Sequence, residues 1–125
     1  MTAGTDIGAN YRTLGKRAQF LHVAKGTRAG RTGFTLQAAS TTGDLAGIGL
    51  TVTKKTGNSP ERNRVKRRLR AAVRACGSSF LPQHDYVLVA RREALALPFE
   101  KLVSDLNSAI GKVHALERAK GTPTE

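Results

Sequence analysis

Nine lysines and arginines lie between Lys54 and Arg74, in the stretch KKTGNSPERNRVKRRLRAAVR, and Glu61 is the only acid among them. Cations at that density suit a polyanion: the planar fork of arginine meets two phosphate oxygens at once, while lysine acts as a point charge. On a helix turning about 100° per residue, Val65, Leu69, Ala72, Val73 and Cys76 form one apolar stripe. Asn63, Arg67, Arg70 and Arg74 gather on a second face, Arg64 and Arg68 flank the opposite side, and Lys66 lies at the border. A helix made soluble by charge alternates signs so that i,i+4 neighbours attract. Here Lys66 with Arg70, Arg64 with Arg68, and Arg70 with Arg74 repel, at roughly 0.2–0.5 kcal/mol a pair. Arg62 and Arg64 also oppose the positive helix end, at roughly 0.3–1 kcal/mol each.

The pattern therefore points to a polyanionic partner. The stripe is mostly Val, Leu and Ala and is needed for a core, which favours nucleic acid over a lipid surface that demands large inserting residues. Lys54 and Lys55 extend the cationic patch into the preceding loop, and Asn58 and Asn63 offer hydrogen bonds to sugar or base edges. For Asn58 the alternative is a simple turn after Gly57.

Other chemistries find no support. The run from Gly47 to Lys55 has glycines near lysines but lacks the Gly-Lys-Ser/Thr of a phosphate-binding loop. Asp44, Glu61, Asp85, Glu93 and Glu100 form no sequence-local metal cluster, and His22, His84 and His114 stand far apart. Cys76, the only cysteine, excludes an internal disulfide and sits on the apolar stripe as a core residue. We expect no catalytic side chain and no protein-held metal.

These residues must be positioned by one domain, since 125 residues hold a single core comfortably. A net charge of +12 and a pI near 10.9 fit the same partner class. Lacking a membrane-length apolar run and a signal-like start, the chain is expected to be cytoplasmic. Residues 1–13 read as a flexible arm, 14–117 as the domain and 118–125 as a tail. A first helix over Lys16–Lys25 carries Phe20 and Val23. Phe34, Leu36 and Ala38 alternate with Thr35, Gln37 and Ala39, and after a Gly-Asp turn Ile48, Leu50 and Val52 alternate with Gly49, Thr51 and Thr53. That pair predicts an antiparallel hairpin. Ser59 is the expected cap of the basic helix, with Pro60 opening it and Gly77 ending it. HDYVLVARR predicts a strand buried on both faces, and Phe99, Leu102, Val103, Leu106, Ile110 and Val113 a last amphipathic helix. The fold class is α+β, in the order α-β-β-α-β-α. A parallel second and third strand would ordinarily be joined by a right-handed crossover.

The run TVTKKTGNSPERNRVKRRLRAAVR, with YVLVARR a short loop later, resembles the protein subunit of bacterial ribonuclease P. The matching positions are Lys54, Lys55, Gly57 and Asn58, then Arg62, Asn63, Arg64, Lys66, Arg67 and Arg70, and the element order agrees from Leu14 to Val113. The resemblance implies three helices on a small sheet with a left-handed crossover around the basic helix. It implies a ribozyme partner that removes the 5′ leader of precursor tRNA with magnesium ions bound mainly by the RNA. The basic helix and loop, Arg74 included, would contact the ribozyme RNA. A cleft between the first helix, the sheet and the basic helix would hold the single-stranded leader, with Phe20, Thr35 and Gln37 as its residues here. Ala24 and Gln37 stand where many members carry aromatics, and Phe20 also suits a core position. The bare Gly47 and Gly49 leave room for close backbone approach. No obligate protein partner is implied. The alternatives are a free-standing RNA-binding or ribosomal module, and a DNA-binding protein with its helix in a major groove.

Overall fold

The computed structural model describes residues 11–121. In chain order the elements are β1 (Tyr11–Thr13), α1 (Arg17–Ala24), β2 (Thr27–Gly30), β3 (Phe34–Ser40), β4 (Ala46–Thr51), α2 (Ser59–Ala75), β5 (His84–Ala90) and α3 (Phe99–Gly121). Short 3-10 turns occupy Lys54–Thr56, Gly77–Ser79 and Arg92–Leu95.

One five-stranded sheet runs in the order β1-β4-β5-β3-β2. β4 is parallel to β1 and to β5, whereas β3 is antiparallel to β5 and to β2. The predicted hairpin between β3 and β4 is thus overturned: β5 lies between them, with Leu36 opposite Leu88 on one side and Leu50 opposite Leu88 on the other. The physical reason is burial. Asp85, Tyr86, Val87 and Leu88 are all buried, and a strand apolar toward both layers belongs at the centre of a covered sheet. The hairpin that does form joins β2 to β3, with Thr27 opposite Ala38 and Gly30 opposite Thr35, and Arg31 N–H closes the turn on the Phe34 carbonyl at 2.8 Å.

β1 and β2 have three and four residues, too few for alternation to register. Tyr11–Thr13, expected in the N-terminal arm, form a strand instead; residues 1–10 of that arm lie outside the described residues, as do 122–125 of the tail. α3 continues beyond residue 117 to Gly121.

Helices cover both faces. Under α2 and α3, Phe34, Leu36, Ile48, Tyr86 and Leu88 of the sheet pack with Val65, Leu69, Leu102, Leu106 and Ile110. Full burial of each large side chain is worth roughly 1.5–3 kcal/mol. Under α1 a smaller cluster joins Leu14, Val23, Ala39 and Val87, with Phe20 and Val89 at its border. Cys76 is buried and donates to the Val103 carbonyl at 3.7 Å; burial pushes its thiol pKa up, as befits an inert core residue. No helix among the described residues is long and apolar enough to cross a membrane.

Candidate nucleic-acid interface

The basic helix begins one residue earlier than the sequence suggested, because Asn58 rather than Ser59 is the cap. Its Oδ1 accepts from Glu61 N–H at 2.9 Å, and Glu61 Oε1 accepts from Asn58 N–H at 2.9 Å. This reciprocal box satisfies two donors that the first turn would otherwise leave open. Val65, Leu69, Ala72 and Val73 are buried in the core, as the wheel requires. The opposite surface of α2 presents Asn63, Arg64, Arg67, Arg70 and Arg74, all exposed, with Lys66 half-buried at the edge. Lys54 and Lys55 stand exposed on the preceding turn, which buried Thr56 anchors, and Asn58 is exposed beside them.

Two arginines of the helix turn inward instead. Arg62 donates to the Gly57 carbonyl and to Ser59 Oγ, each at 3.0 Å. Arg68 donates through Nε to the Ala94 carbonyl at 2.9 Å and through Nη2 to the Leu97 carbonyl. Glu61, the lone acid, receives both arms of the Arg92 guanidinium at 3.0 and 2.8 Å. That hydrogen bond, followed by the one from Asn58 N–H, holds the Glu61 carboxyl down at about 2. It is ionised yet matched to Arg92, so it does not neutralise the outer face of α2.

Where α2 meets the β1–β4 edge of the sheet, a cleft of ≈ 490 Å³ opens. Phe20 of α1, Tyr11 and Thr13 of β1 and Gly49 and Leu50 of β4 form one wall; Lys66, Arg70 and Arg74 of α2 form the other. The structure therefore brings Phe20 together with three predicted RNA-binding cations, a juxtaposition that no local pattern encodes. Phe20 is half-buried, and the absence of a side chain at Gly49 lets its ring lie on the strand: a Cβ there would come within 2.7 Å of Phe20 Cζ. The room at Gly47 is likewise filled by the side chains of Leu14, Arg12 and Asp85, the last two ion-paired at 2.8 Å. Side chains, rather than an approaching backbone, use both glycines.

Thr35 and Gln37 lie outside the walls of this cleft. They share the α1 face of the sheet, across β5, where Gln37 and Gly49 flank Val87 and Thr35 and Thr51 flank Val89. Both are half-buried, and the Thr35 hydroxyl accepts from Arg91 Nη2 at 3.2 Å. Tyr11 and Thr13 line the cleft without being among the residues expected there, since their place in the sequence suggests only the arm. Their only signal is two β-favouring residues spaced by two, too little to define a strand.

Residues 9–114 match the family model of ribonuclease P. The chain belongs to the ribonuclease P protein family. The ribonuclease P protein component of Brucella suis is 41% identical over 107 residues, covering 78% of this chain and 76% of the relative. That of Paramagnetospirillum magneticum is 41% identical over 123 residues and covers 90% of each. Among solved structures, the RNase P protein of Staphylococcus aureus superposes with a TM-score of 0.69 at 27% identity, over 81% of this chain and 95% of that one. The RNase P protein of Thermotoga maritima shares the fold at a TM-score of 0.64 and 22% identity, over 74% of this chain and 87% of its own.

Proposed function

We propose that this chain, as the protein subunit of ribonuclease P, holds the catalytic RNA through α2 and the Lys54–Asn58 turn and seats the 5′ leader of precursor tRNA in the adjoining cleft. The observation that carries this reading is the shared seat of Phe20, Lys66, Arg70 and Arg74. An aromatic face that stacks on a base, set opposite cations that follow a phosphate backbone, is the arrangement single-stranded RNA requires. From that seat the leader would cross the α1 face of the sheet toward Gln37 and Thr35, whose polar groups offer hydrogen bonds. Lys54, Lys55, Asn58, Asn63, Arg64, Arg67 and Arg74 supply the contacts to the RNA subunit, while Arg62, expected among them, is turned onto the Gly57 carbonyl and Ser59 Oγ.

In this reading, hydrolysis is the work of the RNA and its magnesium ions. Among the described residues, no group of three or more His, Cys, Asp or Glu is placed to hold a metal ion. The cleft walls carry cations, which repel a metal. The protein side chains bind, orient and screen phosphate repulsion, and so lower the magnesium concentration that the RNA needs.

The deciding experiment adds the chain to a bacterial ribonuclease P RNA at low magnesium and follows cleavage of a precursor tRNA. Stimulated cleavage at the mature 5′ end is expected. Cleavage no faster than by the RNA alone would sink the reading and favour a free-standing RNA-binding module.

A further inference from the structure

Arg92 lies two residues beyond the end of β5, opening the Arg92–Leu95 turn, and its guanidinium reaches back over the start of the basic helix. One arm donates to Glu61 Oε1 at 3.0 Å and to the Thr56 carbonyl at 3.1 Å; the other donates to Glu61 Oε2 at 2.8 Å. Glu61 Oε1 in turn accepts from Asn58 N–H at 2.9 Å. Between these partners the backbone passes through Gly57 at φ 155°, a conformation side chains rarely adopt, and a Cβ there would come within 2.8 Å of Arg92 Nη1. Arg62 closes the other side on the Gly57 carbonyl at 3.0 Å. The turn carrying Lys54, Lys55 and Asn58 is thus tied to the end of a central strand by side chains alone.

We propose that Arg92 and Glu61 are positioning residues that preset the Lys54–Asn58 turn for the RNA subunit, an inference that rests on the ribonuclease P reading. Neither residue needs to touch RNA. Their effect is to order the turn before binding, so that RNA association does not have to order it. The pair is partly open to water, Glu61 at 30% and Arg92 at 58% side-chain exposure, which limits its worth to global stability. Its two-point geometry fixes direction even so.

Charge and position make opposite predictions for Glu61→Gln. Coulomb attraction alone predicts tighter RNA binding, because a carboxylate is removed from a cationic surface. Loss of the brace predicts weaker binding, by about fivefold, equivalent to about 1 kcal/mol. The test measures affinity of the full chain for ribonuclease P RNA across a salt series, for the wild type, Glu61→Gln, Arg92→Ala, and each of these in a Lys54→Ala/Lys55→Ala background. Expected are weaker binding for both single variants, an unchanged salt slope, and no further loss in the double-lysine background, where the preset turn has no cations left to present. Faster amide exchange at Gly57 and Asn58, with Tm nearly unchanged, should accompany both. Tighter binding by Glu61→Gln, a slope lowered by about one in Arg92→Ala, or a full loss that persists without Lys54 and Lys55 would each overturn the positioning role. A wild-type chain without salt-dependent binding to this RNA would instead overturn the functional reading, and the positioning role with it.

Discussion

Arg68 and Arg70 are two positions apart and do different work. Arg70 is exposed on the cleft wall, whereas Arg68 ties the helix to the carbonyls of Ala94 and Leu97. Arg70→Ala should lower the salt slope of RNA binding by roughly one without lowering Tm. Arg68→Ala should leave the slope alone and lower Tm, since two carbonyls lose their partner at about 1–3 kcal/mol, or about 4–8 °C per kcal/mol in a domain near 100 residues. Salt titration and thermal melts on the same two proteins separate the roles; equal slopes would remove Arg70 from the interface. The wheel could count cations by face, but not see that acceptors from 26 and 29 residues away would engage Arg68. Phe20 makes the same point. Its spacing suits either core or ligand, and in the structure its ring both packs on the sheet at Gly49 and lines the cleft. Gly49→Ala should therefore overpack this contact at about 1–3 kcal/mol, and Phe20→Leu should recover part of the loss in a double-mutant cycle. Additive losses would mean that the two residues are not coupled.

Among the elements, α3 is fastened to the sheet by a titratable cluster. Tyr86 OH accepts from Leu81 N–H at 3.0 Å and shares a 2.6 Å hydrogen bond with His114 Nε2, to which it can donate when that nitrogen is unprotonated. Burial, then the neighbouring His84, moves the His114 pKa below its ordinary 6.5, with Arg118 pushing the same way and Glu117 opposing. Glu117 accepts from Ser40 Oγ and His84 Nε2, both at 2.5 Å; burial pushes its pKa up, but those hydrogen bonds outweigh it and hold the carboxyl below 4.5. With His114 depressed, the unfolded chain takes up the proton first, so this stabilisation is complete above the ordinary value and declines as pH falls below it. Tm should drop between about pH 7.5 and 5.5, and His114→Gln, which keeps an acceptor for Tyr86 without titrating, should flatten that drop. An identical pH profile in the variant would show that His114 is not responsible. None of this clustering was legible: the three histidines looked too distant to meet, and pairing across β3, β5 and α3 is what gathers two of them. Longer elements were legible because periodicity persists in them, as along α2, α3 and β5. The partner of β4 was not, because alternation fixes which face of a strand is buried and carries no information about its neighbour. The central place of β5 could have been argued from its unbroken apolar run alone.

For the whole molecule, the distribution of charge matters more than its sum. Between Glu61 and Asp85 the sequence has no acid, and between Asp6 and Asp44 it has none either. Glu61, Asp85 and Asp105 are already paired with Arg92, Arg12 and Lys101, so the outward surface of α2 keeps its repulsion in the free protein. Folding must hold those cations together; on the proposed reading RNA bound at α2 relieves the strain, so stability and RNA affinity would pull in opposite directions at the same residues. Raising ionic strength from about 0.01 M to about 1 M shortens the screening length from about 30 Å to about 3 Å, and Tm should rise across that range. Arg70→Gln removes the repulsive pairs with Lys66 and with Arg74, each worth roughly 0.2–0.5 kcal/mol. The variant should therefore be more stable than the wild type at low salt, lose that advantage at high salt, and bind RNA more weakly throughout. Adding ribonuclease P RNA at about one hundred times its Kd should reverse the order, since linkage then stabilises the better binder by about 2.7 kcal/mol. A variant no more stable than the wild type at low salt would mean that local packing, not charge repulsion, sets the stability of α2, and that its arginines carry no folding penalty for RNA to relieve.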